Sequence, residues 1–279
     1  MEQGRPSRTA LAAATHRAAH QILEGGQIFA DPLALRILGM DQETVRHKAQ
    51  QDPLSRQMRL FIAMRTRFAE DALAAAVQCG ACQLVALGAG LDTYAYRSPF
   101  GERLRIFEVD HPATQAWKRH RLDEASIPSP SWQTFTPVDF ERETLSEGLR
   151  RVGFNPSQRT FFTWLGVVPY LSTEAIWSTL SFIAALSNRA EVVFDYSDPP
   201  ESLSPESRVS HDARAARVDE IGEPWVTYFE PEELRAKLLT VGFLEVEDLG
   251  PPQLVGRYFP NRPTSSAKKG GHVVRAATA

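Results

Sequence analysis

Several things are scarce in this chain of 279 residues, and each scarcity removes a class of function. No apolar run approaches the ~18–20 residues that cross a bilayer, and the N-terminus carries no apolar signal core, so the expected location is cytoplasmic. Charge of one sign is missing too: 31 basic residues meet 34 acidic ones, and a net −3 gives no basic surface for nucleic acid. Cysteine occurs twice, as Cys79 and Cys82, a CxxC spacing. A redox pair of that spacing belongs after a strand, at a helix N-terminus, and zinc would need a second pair. These two precede the first strand and read as thiols in a turn; no metal site is expected. The GxSxG elbow is absent, no Ser/His/Asp order suggests a nucleophilic triad, and neither repeats nor low-complexity segments occur.

What is present is the composition of a globular protein, 43% hydrophobic and 23% charged, long enough for one large α/β domain or two ordinary ones. Its centre is Leu84–Thr93, LVALGAGLDT. Leu84–Leu87 is a short apolar run of the kind that forms a doubly buried strand, and Gly88-Ala89-Gly90 follows at once. Glycine there permits positive φ and lets backbone N–H groups approach a ligand. About twenty residues on, Arg105–Asp110 (RIFEVD) predicts a second strand ending in a carboxylate that can accept hydrogen bonds from ribose hydroxyls. A nucleoside-containing cofactor is therefore expected between Gly88 and Asp110. A dinucleotide site wants GxGxxG, but its third glycine is Thr93 here, and Leu91-Asp92-Thr93 offers no compact pyrophosphate turn. S-adenosyl-L-methionine carries no phosphate and fits GAGLDT followed by EVD better than NAD does.

LGAGLDTYAYR, IFEVDHPATQAWKR and PYLSTEAIW, in this order, resemble the leucine carboxyl methyltransferase family, and the resemblance runs from about Thr9 onward. It implies a class I, Rossmann-like methyltransferase fold and O-methylation of a protein C-terminal carboxylate or of a small molecule such as a polyketide. Members carry an arginine near the position of Arg65 that holds the donor's methionine carboxylate, and an Asp-apolar pair that carries over to Asp139 and Phe140. Many also have a glutamate at the end of strand four, where this chain has Leu165.

The rest of the chain predicts a helical cap over residues 1–78 and a methyltransferase domain over 79–279, forming one structural unit. Ser7 caps a first helix to about Leu23; His16 and His20 share a polar helix face; Asp31-Pro32 and Asp52-Pro53 each open a further helix, the second ending near Val77. Residues 41–52 read as a polar, mobile connection. Arg65 and Arg67 are candidates for the methionine carboxylate, since a guanidinium holds a carboxylate through two parallel bonds, with Arg17 as a weaker third. From Leu84 onward strand and helix signals alternate: strands at Gln133–Asp139, Arg159–Leu165, Glu191–Tyr196 and Glu245–Leu249, with helices at Pro112–Ala125, 141–152, Thr173–Ser187 and Pro231–Thr240 between them. His272–Ala276 fits a last, edge strand, which gives seven strands, mostly parallel, with helices on both faces. Asp139, ending strand three, suits the adenine amino group.

Ser197–Tyr228, rich in proline, serine and charge, reads as a lid inserted at the carboxyl edge. It contributes Trp225 and His211, a histidine able to take a proton from a hydroxyl acceptor, while Tyr170, after strand four, is a candidate either to line the acceptor pocket or to orient the nucleophile. The leading expectation is methyl transfer to the carboxylate or hydroxyl of a small molecule, by a chain that could form a homodimer. An NAD-dependent oxidoreductase and a catalytically silent binding protein are the alternatives.

Overall fold

The computed structural model describes residues 7–52, 54–139, 142–261 and 268–279. They fall into two compact units, one containing residues up to Arg67 with Cys82–Phe154, the other Phe68–Ala81 with Asn155–Ala279.

The first unit opens with α1 (Arg8–Leu23), and the Ser7 hydroxyl accepts the Ala10 N–H as the sequence predicts. α2 (Ala34–Leu38) follows, starting two residues later than expected, after a turn in which Asp31 accepts the Leu33 N–H. Residues 41–52, expected to be mobile, form α3 (Gln42–Gln51): Asp41 caps it by accepting the Thr44 N–H, and Val45 is buried. The long helix α4 (Ser55–Gln78) follows; the start predicted at Pro53 lies outside the described residues. Ala14, Ala18 and Ala19 of α1 pack with Ile37, Leu38, Val45, Leu91, Leu122 and Ile127, so the N-terminal helices share one apolar core with the glycine-rich loop. Three parallel strands, β1 (Gln83–Leu87), β2 (Arg105–Asp110) and β3 (Gln133–Pro137), alternate with α5 (Tyr94–Arg97), α6 (Pro112–Glu124) and α7 (Leu145–Arg151). β1 is buried almost throughout and β2 from Ile106 to Val109, as strands covered on both faces must be, although β2 takes Glu108 inside with it.

The second unit carries β4 (Thr160–Trp164) parallel to β5 (Ala190–Ser197), with α8 (Thr173–Ala184) between them, capped by Ser172 as expected. A 16-residue helix, α9 (Pro205–Glu220), fills the middle of the 197–228 insertion. Then come α10 (Pro231–Val241), β6 (Glu245–Leu249), α11 (Pro251–Tyr258), which the sequence did not announce, and β7 (Gly271–Ala277).

The seven-stranded sheet has the order β3-β2-β1-β4-β5-β7-β6. β7 is thus not the edge strand the sequence suggested. It is inserted antiparallel between β5 and β6, and its run of buried residues, Val273, Val274, Ala276 and Ala277, suits an interior position. Cys79 is exposed and Cys82 half-buried, and both are free thiols. Among the described residues no helix is long and apolar enough to cross a membrane, and no group of three or more His, Cys, Asp or Glu could hold a metal.

Candidate functional site

In the first unit the chain leaves β1 through Gly88 (φ +65°) and Gly90 (φ +45°), both in the left-handed region that favours glycine. The Gly88 and Ala89 N–H groups bond the Val109 carbonyl at 2.9 and 3.1 Å, which folds the turn onto the end of β2. A Cβ on Gly90 would stand 3.0 Å from that of Ala10, so α1 closes one side of the turn. Asp110 ends β2 with its carboxylate spanning the turn: one oxygen accepts the Gly90 N–H at 2.6 Å and the other the His111 N–H at 2.7 Å. Burial nevertheless pushes its pKa above the usual carboxylate range, against the pull of those two amides. Hydroxyl donors would favour the charged form and relieve that cost. An adenosyl ribose supplies two, which fits the group the sequence implies.

Asp139 follows β3. The Val138 N–H bonds the Asp110 carbonyl at 3.0 Å, so the two carboxylate residues lie on neighbouring strand ends. Asp139 does not cap α7; Thr144 does, in a capping box with Glu147. Phe140 lies outside the described residues. On α4 the two arginine candidates separate: Arg65 is buried, its guanidinium over the Phe61 ring at 5.9 Å, whereas Arg67 is exposed. The inward position belongs to Arg65.

Arg17, the third candidate, is engaged within the fold. It donates to the Leu91 carbonyl at 2.5 Å, and its Nε lies 3.5 Å from Asp31. Asp31 is wholly buried and gathers the loop's supports: it accepts the Thr93 hydroxyl at 2.8 Å and the Leu33 N–H at 3.0 Å, with Arg97 at 3.8 Å. Thr93, where a dinucleotide site would have glycine, anchors the loop to the residues before α2. Burial would raise the pKa of neighbouring Asp92, but Arg17, Arg97 and Lys118 hold it below the ordinary range. Sequence reading treated Asp31 only as a helix cap, and the distant Thr93 gave no sign of the contact.

Two more buried clusters escaped the sequence. Glu108, inside β2, meets Lys118 at 2.8 Å and Gln133 at 3.2 Å; burial raises its pKa against the pull of the Lys118 ammonium. His20, expected on a polar face, is fully buried: its Nδ1 is 3.2 Å from Glu24, and burial lowers its pKa. Glu24 is held in turn by Arg59 through two bonds of 2.7 and 2.8 Å.

In the second unit Tyr170 is half-buried in the turn Val168–Tyr170 after β4. Where Leu165 replaces the glutamate that many family members carry, the nearby carboxylate comes from β5: Asp195, buried, accepts the Gly166 N–H at 2.5 Å. His211 is buried on α9, its ring 5.5 Å from those of both Trp225 and Tyr228. The Val226 and Thr227 N–H groups bond the Pro169 carbonyl at 2.8 and 3.3 Å, and the Thr227 hydroxyl bonds the Leu171 carbonyl at 2.5 Å. Tyr170, His211 and Trp225 are therefore gathered from three separate stretches.

Comparison with known proteins bears on the family and on the fold. A candidate S-adenosyl-L-methionine-dependent methyltransferase of Bacillus subtilis, YktD, is 35% identical over 202 residues, 71% of this chain and 66% of that protein. A similarly named Parafrankia protein is 34% identical over 134 residues, 48% of this chain and 43% of that one. The matches thus span less than two thirds of these relatives' length. A candidate methyltransferase from Thermobifida fusca shares the fold at a TM-score of 0.57 and 15% identity, covering 100% of this chain and 97% of its own. A DUF574 family protein from Streptomyces avermitilis does so at 0.55 and 14%, covering 95% and 97%. The model of the leucine carboxyl methyltransferase family matches residues 10–184, well over half of the chain, which belongs to that family.

Proposed function

We propose that the protein transfers a methyl group from S-adenosyl-L-methionine to an oxygen, carboxylate or hydroxyl, of a small molecule, and does so in the cytoplasm. The observation that carries this reading is the Asp110 carboxylate laid across the Gly88–Gly90 turn, in a chain of this family. Asp110 would hold the two ribose hydroxyls, Gly88, Ala89 and Gly90 the backbone side of the nucleoside, Asp139 the adenine amino group with Phe140 against the ring, and Arg65 the methionine carboxylate. The sulfonium supplies an already activated methyl carbon, so the chain's residues have chiefly to align the acceptor oxygen and exclude water. Tyr170 and His211 would serve the acceptor.

Titration with S-adenosyl-L-methionine, S-adenosyl-L-homocysteine and NAD by calorimetry tests the donor. Binding of both adenosylated ligands and not of NAD is expected; the reverse pattern would return the oxidoreductase reading. A labelled-donor screen over small acids, phenols and C-terminal peptides tests the acceptor, and labelling of peptides alone would overturn the small-molecule reading.

A further inference from the structure

Of the buried polar atoms in the second unit that lack a hydrogen-bond partner among the described residues, including Trp177 Nε1 and Asp198 Oδ1, His211 Nε2 is the one on a ring with aromatic rings on either side. His211 is only 8% exposed. Its Nδ1 lies 3.0 Å from an Asp212 oxygen; a carboxylate only accepts, so Nδ1 carries the proton and Nε2 presents a lone pair. That Nε2 is shut off from solvent and has no hydrogen-bond partner among the described residues. Buried acceptors are normally satisfied, so the vacant one points to a donor on a ligand. Aromatic rings surround it: Trp225 at 5.5 Å, tilted 48°, and Tyr228 at 5.5 Å, tilted 54°. The segment bearing both rings is pinned at Val226 and Thr227 to the turn that carries Tyr170.

We propose that the acceptor is a phenol, received between Trp225 and Tyr228, and that His211 Nε2 takes the proton of its hydroxyl. This deepens the methyl-transfer reading and rests on it. A flat ring meets flanking aromatic rings at offset or tilted angles, the arrangement such pairs favour. The hydroxyl completes Nε2, whereas an ionised carboxylate would set its lone pairs against that of the nitrogen and is disfavoured. In the step, the phenolic oxygen bonds to the methyl carbon while the carbon–sulfur bond breaks and leaves its electron pair on sulfur. The hydroxyl proton passes to Nε2, and Asp212 stabilises the resulting imidazolium. The titratable and charged groups facing this ring are Asp212 and Arg208 on α9, whose two Arg208 Nε contacts to Asp212 are 2.9 Å, and Tyr228, itself near Glu201.

The test uses 4-nitrophenol, whose absorbance reports loss of its proton, added to the donor-free protein. A phenolate band is expected at a pH where the free probe is still protonated, and it should vanish in His211→Gln. No band in the unaltered protein, or an equal band in the variant, overturns the proposal. With labelled donor, 4-nitrophenol should be methylated and 4-nitrobenzoate not, and His211→Gln should lower the rate by roughly 10²–10⁴-fold, the range of general base catalysis. Donor affinity should stay unchanged. Because His211→Gln could disturb α9, Asp212→Asn provides a second variant. It keeps the helix surface and should lower the rate by a smaller factor, through loss of the tautomer's hold; an unchanged rate counts against the proposal. Labelling of 4-nitrobenzoate alone overturns the phenol proposal and leaves the methyl-transfer reading standing. Labelling of neither, with no donor binding, overturns both.

Discussion

The glycine-rich loop of the first unit and the histidine-bearing insertion of the second use buried polar groups differently. Around the loop, charges meet inside the chain: Asp31 with Arg17, Arg97 and Thr93, Glu108 with Lys118, Glu24 with Arg59. Around His211, one nitrogen remains unmatched, and Val209 and Val226 stand 72% and 55% exposed nearby in sequence. A loop that must hold one cofactor gains from internal anchors that fix its shape before binding. A surface that must fit its own acceptor leaves groups for the acceptor to satisfy. The difference is one of degree, since Arg17 Nε and His20 Nε2 in the first unit also lack a hydrogen-bond partner among the described residues, on side chains whose other atoms are held by Leu91 and Glu24.

The sharpest way to break this contrast is to remove Asp31. Asp31→Ala leaves two largely buried guanidiniums facing each other without their carboxylate, and breaking a buried pair on one side costs about 3–5 kcal/mol. Thermal melting should fall by roughly 10 °C for a chain of this length. Asp31→Asn, which keeps the volume, should lose nearly as much. Melting within about 2 °C of the unaltered protein, in both variants, would show that the loop is not anchored there.

A buried charge cluster in the second unit tests whether internal pairing is confined to the first. His272 of β7 lies between Asp248, 2.9 Å from Nδ1, and Asp198, 3.1 Å from Nε2, and it stacks on Tyr196, whose hydroxyl donates to Asp248 at 2.5 Å. Burial would lower its pKa, but the two carboxylates prevail and raise it from 6.5 to about 9. The folded value exceeds the unfolded one, so the stabilisation is complete below about pH 6.5 and is lost as pH rises through about 9. At ~1.36 kcal/mol per pH unit it is worth about 3 kcal/mol. Urea unfolding between pH 6 and 10 should show this decline, and His272→Gln should remove it. A decline that persists in the variant would assign it to another group.

Much of the first half was legible because its signals are local. A buried apolar run, a GxG turn and a carboxylate at a strand end fixed β1, β2 and the Gly88–Asp110 pair, and Ser7 and Ser172 marked their helices correctly. What was missed depends on partners far apart in sequence. Thr93 and Asp31 are 62 residues apart, so a departure from a glycine fingerprint gave no hint of its replacement. The interior place of β7 depends on its pairing with β5 and β6, which a short apolar run near a terminus cannot reveal. α3 was lost because its mean polarity outweighed a single buried valine and a good aspartate cap.

Asp110 examines the donor side directly. Asp110→Ala removes charge-assisted hydrogen bonds worth roughly 1.5–3 kcal/mol, a loss of about ten- to a hundredfold in donor affinity. The strand should persist, since the side chain lies at its end. Because its pKa is raised, donor affinity should also decline on acidification sooner than an ordinary aspartate would dictate. Calorimetry on the folded variant checks both, and undiminished affinity would remove Asp110 from the site.

The smallest expected effect addresses the loop's departure from the dinucleotide pattern. Thr93→Gly restores GxGxxG in letters while deleting the hydroxyl that donates to Asp31 at 2.8 Å. Asp31 keeps the Leu33 N–H and two guanidiniums, so the loss should be limited to about 1–2 kcal/mol. The variant should still bind S-adenosyl-L-homocysteine, somewhat more weakly because the loop is less firmly anchored, and should acquire no affinity for NAD. A glycine alone does not make a pyrophosphate turn, because Asp31, Arg17 and Arg97 continue to shape the residues after Gly90. If the single substitution conferred NAD binding, the threonine would be a specificity barrier rather than an anchor, and the first unit would hold a ligand-determined position like the one at His211.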